Sequence, residues 1–194
     1  MPRVFSITGT STGFGNNLNF LVLKLDVTQL SDIDSAFKFT LEKFERVDVV
    51  GNNAGFGLSG AFEELADDKI KKQMEVNLFG LINVTRKAME VMREQKPSGG
   101  LIQQVTSVDG FSAKRHPAYD HIDTKRNKEA RNGTQSGDPA KAARAMYELA
   151  INNDPPLRIT LGSDGFTEIT EKVEKYKENL KNYEKISKST NIEE

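Results

Sequence analysis

Three glycines, Gly9, Gly13 and Gly15, punctuate the stretch Thr8-Gly9-Thr10-Ser11-Thr12-Gly13-Phe14-Gly15, which follows a short apolar run from Val4 to Thr8. A loop of this kind turns tightly and brings backbone N–H groups up to a pyrophosphate, since glycine has no Cβ to stand between chain and anion. Taken alone it is also what an ordinary tight turn looks like. Its weight comes from what succeeds it in order: Asn52-Asn53-Ala54-Gly55 after a second apolar run, then Asn77, then Ser107.

The elements that must position these groups follow from periodicity. Val4 to Thr8 reads as a buried strand, and so do Leu21 to Val27, Val47 to Val50 and Leu101 to Val108. Ser31, three residues before Asp34, resembles a capping box, and Ile33, Phe37, Leu41 and Phe44 recur at helical spacing beyond it. From Leu65 to Gln95 a helical period persists over a length that predicts two helices or one bent helix, stopped by Pro97-Ser98-Gly99-Gly100. Residues 109–138 lack an apolar period and predict an irregular loop. A helix over Pro139 to Ile151, a last strand over Leu157 to Leu161 and a charged amphipathic helix over Thr167 to Ile186 complete the chain. In that helix Ile169, Val173, Tyr176, Leu180 and Tyr183 form a heptad-like seam. Strands alternating with helices, with ligand-type loops at strand ends, predict an α/β fold with a Rossmann-like, doubly wound parallel sheet in one domain spanning 1–194.

Composition narrows the chemistry. At 194 residues with 37% hydrophobic content, the chain can bury a sizeable core. Its 27 Lys and Arg nearly cancel 28 Asp and Glu, so no net field draws it to nucleic acid or an anionic membrane. With no Cys and two His, disulfides, thiolate nucleophiles and histidine-cluster metal sites are excluded. Nothing in it has the length of a signal peptide's apolar core or a membrane span, which predicts a soluble, cytoplasmic protein.

The ordered motifs resemble the short-chain dehydrogenase/reductase family, in the branch with a Thr-Gly-x-x-x-Gly-x-Gly loop; the resemblance covers Val4 to Val108 and, more loosely, the chain from Gly137 onward. It implies that Gly9, Ser11, Gly13 and Gly15 bind the pyrophosphate of NADP or NAD, that Asp26 and Val27 contact the adenine, and that Asn53, Ala54 and Gly55 support the ribose, with Asn52 in the same turn. It implies that Asn77 holds a proton-relay water, that Ser107 hydrogen-bonds a carbonyl or alcohol substrate, and that the 65–95 helix pairs in a homo-oligomer. The implied reaction is hydride transfer between nicotinamide and that substrate, with a tyrosine phenol passing the proton and a lysine one helical turn on lowering its pKa.

At that step this chain departs from the family pattern. Tyr119, Tyr147, Tyr176 and Tyr183 are followed four residues later by Asp123, Ile151, Leu180 and Ser187. Lys125 lies six residues beyond Tyr119, about 240° away on a helix, so Tyr119 reads as a loop residue. Only residues 9–20 separate the first two predicted strands, and no Pro-Gly pair occurs, as though segments were missing after about Leu18 and after about Gly110. A non-catalytic nucleotide-binding or dimerising domain derived from the family is the competing expectation.

Overall fold

The computed structural model describes residues 3–9, 21, 23–58, 65–107 and 137–190. They fall into two compact units, one holding residues 3–106 and the other Ser107 and residues 137–190.

The first unit is built on three parallel strands, β1 (Phe5–Ile7), β2 (Val49–Asn52) and β3 (Leu101–Gln104), in the order β1-β2-β3. Register runs Ile7 to Gly51 and Gly51 to Gln103. All four residues of β2 are buried, as expected of a central strand in a parallel sheet. Helix α1 (Leu30–Phe44) presents Ile33, Phe37 and Thr40 inward, at one-turn spacing. A long helical run follows β2: α2 (Asp67–Met74), a π-helical segment (Glu75–Gly80) and α3 (Leu81–Glu94). Val84, Ala88, Val91 and Met92 of α3 pack with Ile33, Phe37, Val47 and Val50 into one apolar cluster. A Cβ at Gly80 would lie 2.6 Å from Val27 Cγ2, so only glycine admits this approach of helix to chain. At the far end of the sheet, the Gln95 amide accepts from Val47 N–H (2.9 Å) and donates to Val47 C=O (3.0 Å) and Gly99 C=O (2.8 Å).

In the second unit, α4 (Pro139–Ile151) begins as predicted. The Asp138 carboxylate accepts from Ala140 N–H (2.8 Å) and Lys141 N–H (3.3 Å), with Pro139 at the first helical turn. Helices α5 (Ser163–Asn182) and α6 (Glu184–Lys188) follow.

Four expectations are corrected. Among the described residues Leu21 and residues 23–27 form no strand: Asp26 N–H donates to the Asp32 carboxylate (3.1 Å) and Gln29 N–H to Asp26 C=O (3.0 Å), so local turn bonds take the place of a ladder. Residues 157–161 form no strand either, and among the described residues none of their backbone groups is hydrogen-bonded. The strand expected over Val47 to Val50 lies at Val49–Asn52, because Gly51 and Asn52 continue the ladder to β3. Ser31 does not cap α1; it lies inside the helix and its carbonyl accepts from the Ser35 hydroxyl (2.7 Å).

Candidate functional site

Parallel strands in register deliver their following loops to one edge of the sheet, and in open α/β sheets that carboxyl edge is where ligands bind. Here it receives Thr8-Gly9 from β1 and Asn53 to Phe56 from β2. The two loops are locked together by Thr8, which is buried. Its hydroxyl accepts from Asn53 N–H and Ala54 N–H, both at 3.1 Å, and lies 3.4 Å from Gly51 C=O, to which it donates. Its carbonyl accepts from the Asn53 side chain at 3.2 Å. Gly9 then turns with φ +74°, and a Cβ there would lie 2.8 Å from Ala54 Cα. The positive φ and the backbone contact each demand glycine.

Asn77 lies on the π-helical segment, a kind of interruption that is frequent at functional sites. Its carboxamide accepts from Phe56 N–H (3.1 Å) and donates to Phe56 C=O (2.8 Å), clamping the chain just past Gly55; Gln73 adds a bond to the same carbonyl (3.1 Å). A Cβ on Gly55 would meet Asn77 Oδ1 at 3.3 Å, so the clamp also sits tightly on that glycine. Asn77 is thus brought up to the Asn53 to Gly55 turn through the Phe56 backbone that follows it.

Asn52 faces the other way, into the unit. Its amide donates to Thr85 Oγ1 (2.9 Å) and Gln104 Oε1 (3.0 Å), and Gln104 donates to Thr85 Oγ1 (3.2 Å), a closed set of bonds joining β2, β3 and α3. Asn52 Oδ1 is buried without a partner. Thr8, Thr85 and Gln104 were not among the residues singled out from the sequence. A threonine immediately before the first glycine of the loop was a readable signal for Thr8; Thr85 and Gln104, 19 positions apart, left none.

Asp26 and Val27 lie on the turn before α1. Val27 is buried against Gly80, whereas Asp26 is exposed and lines a groove of about 430 Å³ with Thr28, Gln29, Lys72, Glu75 and Val76. The Thr28 N–H (2.9 Å) and hydroxyl (2.7 Å) both donate to Asp26 Oδ1, and these bonds, with the charges of Lys24 and Lys72 adding to them, hold the carboxyl below the usual carboxylate range. Asp26 is therefore anionic at neutral pH, with Oδ2 left as an acceptor.

Ser107 is exposed and follows β3 by three residues. Ser11, Gly13, Gly15 and Tyr119 lie outside the described residues. Tyr147, Tyr176 and Tyr183 belong to the second unit and are exposed. Among the described residues no three His, Cys, Asp or Glu gather as a metal site, and no helix is long and apolar enough to cross a membrane.

Comparison with known proteins bears on the family and the fold. Residues 10–119, more than half of the chain, match the family model described as short chain dehydrogenase. An oxidoreductase of the fission yeast Schizosaccharomyces pombe is 31% identical over 198 residues, covering 74% of this chain and 68% of its own length. An oxidoreductase of Penicillium decumbens is 40% identical over 110 residues, covering 55% of this chain and only 36% of its own length, so the chain spans barely a third of that relative. Among solved structures, a short-chain dehydrogenase from Streptomyces avermitilis superposes with a TM-score of 0.71 at 25% identity, over 87% of this chain and 80% of that one. With a family model covering most of the site region and a Rossmann-like parallel sheet beneath it, the chain belongs to the short-chain dehydrogenase family.

Proposed function

We propose that this chain keeps the cofactor-facing half of an NADP- or NAD-dependent oxidoreductase of the cytoplasm, in which hydride passes between nicotinamide and a small carbonyl or alcohol substrate. The observation that carries the reading is the Thr8 lock: a buried hydroxyl that joins the loop opening at Gly9 to the Asn53 to Gly55 turn at the carboxyl edge of the sheet. The residues present fit a dinucleotide. Gly9 opens the loop in a positive-φ turn against Ala54, and Asp26 offers an anionic acceptor in an open groove, suited to an exocyclic amine of adenine.

On this reading Gly9, with Ser11, Gly13 and Gly15, meets the pyrophosphate, Asp26 and Val27 meet the base, and Asn53 to Gly55 meet the ribose. Bound nicotinamide supplies or accepts the hydride. Ser107 donates its hydroxyl to the substrate oxygen. Asn77 acts as a positioning residue, because both ends of its carboxamide are committed to Phe56. With no tyrosine followed by lysine one turn on, the proton has no tuned phenol to come from, and turnover falls by the ~10²–10⁴-fold that general acid–base catalysis contributes.

Titration of NADPH and NADH with the full chain, followed by nicotinamide fluorescence, tests the binding, and a panel of carbonyl substrates tests the turnover. The expected result is saturable binding that Gly9→Val abolishes, with slow turnover that Tyr119→Phe leaves unchanged. Failure of both nucleotides to bind, or rapid turnover abolished by Tyr119→Phe, overturns the reading. A second reading, a non-catalytic dimerising module, draws on the exposure of Met74, Leu78, Phe79 and Met89 along the 67–94 helical run. It is favoured if the protein is a dimer that neither binds nor responds to NADPH.

A further inference from the structure

The turn that follows β2 is held at both ends. At its start the Asn53 and Ala54 N–H groups donate to the buried Thr8 hydroxyl. At its end Phe56 meets two carboxamides four residues apart, Gln73 in the last turn of α2 and Asn77 in the π-helical segment. Residues at that spacing share one helix face, so both amides reach Phe56 from the same side. Asn77 Oδ1 accepts from Phe56 N–H (3.1 Å), and Asn77 Nδ2 donates to the Phe56 carbonyl (2.8 Å). Gln73 Nε2 donates to that same carbonyl at 3.1 Å, and one methylene more than asparagine lets it do so from a turn further back. A backbone carbonyl has two lone pairs, and these two donors use both.

We propose that Gln73 is a positioning residue for dinucleotide binding, a role that rests on the cofactor reading above: by filling the second lone pair of the Phe56 carbonyl it fixes the end of the Asn53 to Gly55 turn before any ligand arrives. Gly55 lies between the two anchors and, as a glycine, has the most backbone freedom to lose. A turn ordered in advance gives up less of that freedom on binding, and the difference appears as affinity. The same order reaches the glycine loop, because Ala54 Cα lies against Gly9 so closely that a Cβ at Gly9 would come within 2.8 Å of it. Helix α2 itself buries no residue, so Gln73 acts on the turn and contributes little to the core. Its signal in the sequence is slight, a glutamine one turn ahead of the asparagine, and only the shared carbonyl shows what the pair does.

Titration of the full chain with NADPH, read by nicotinamide fluorescence, tests the role. Gln73→Met keeps the length of the side chain and loses the donor, and should weaken binding about 2–10-fold, the range that one neutral hydrogen bond spans. The melting temperature of the free chain should stay unchanged, since no core residue is touched. Gln73→Asn, one methylene short, should behave like Gln73→Met. Asn77→Asp keeps the acceptor for Phe56 N–H but has no donor for its carbonyl. Combined with Gln73→Met it should weaken binding by more than the product of the two single losses, because the first removal leaves the carbonyl one partner and the second leaves none. The role of Gln73 alone is overturned if the parent binds NADPH and Gln73→Met binds it equally tightly, if the loss of affinity comes with a matching fall in melting temperature, or if the two single losses simply multiply. A parent chain that binds neither NADPH nor NADH overturns the cofactor reading itself, and this role with it.

Discussion

Helices α1 and α5 both alternate apolar and charged faces, yet α1 buries Ile33, Phe37 and Thr40 whereas α5 buries only Gly165. The difference lies in what each helix meets. The inward stripe of α1 closes on α3, whose own stripe lies on the fully buried strand β2, so the apolar side chains of three elements leave water together. The stripe of α5, Val173, Tyr176 and Leu180, stays exposed, as does Tyr183 just past its end, and its surface carries pairs within one turn such as Lys177 with Glu174. Such exposed pairs contribute only about 0.3–0.5 kcal/mol each. An amphipathic pattern is thus an offer of burial, and stability comes only where a second layer accepts it.

The sharpest way to break this comparison is to truncate one apolar side chain in each helix. Ile33→Ala should cost about 2–5 kcal/mol, the range for opening a cavity in a packed core. Leu180→Ala should change stability by less than about 0.5 kcal/mol. Urea unfolding of the two variants decides it, and similar losses would mean that α5 is packed as tightly as α1.

A smaller effect tests whether the site belongs to the well-packed unit. Thr8→Val removes the acceptor of Asn53 N–H and Ala54 N–H and should cost about 1–3 kcal/mol, with faster amide exchange at residues 53 and 54. Unchanged exchange there would separate the site from the core that carries it.

The smallest effect concerns the tie between β1 and β2. Burial raises the pKa of Asp48, but the Arg46 guanidinium (2.7 Å) and the Val4 N–H (2.8 Å) together outweigh it and leave the carboxyl below its ordinary value of 3.8. A carboxyl whose folded pKa is depressed stabilises above its unfolded pKa, and that contribution is lost as pH falls through the folded pKa. The urea midpoint should therefore hold at neutral pH and begin to drop near pH 3.8, with the drop reduced in Asp48→Asn. An Asp48→Asn variant with the wild-type acid profile would remove this pair from the account.

Where local rules sufficed, the sequence was readable. The strand running into Gly9, the helix ending at Phe44, the long helical run and the Asp138-Pro139 start of α4 all rest on periodicity, glycine or capping within a few residues. The two expected strands that do not form share a feature: Leu21 with residues 23–27, and Leu157 to Leu161, have strand composition, but among the described residues no neighbour supplies a ladder. The same holds at the site. Asn77 was legible as a residue, but its engagement of Phe56 across 21 positions was not.

By itself the sequence determined the family, the parallel α/β architecture, the order of the motifs and the lack of a tyrosine followed four residues on by lysine, because each of these is a matter of residue type and spacing along the chain. Only the tertiary structure decided that Thr8 locks two loops, that Asn77 holds the backbone beyond Gly55 and that Asn52, Thr85 and Gln104 close one set of bonds. Those depend on hydrogen bonds and burial between residues far apart in the chain, and no local pattern encodes which distant group will be there to complete them.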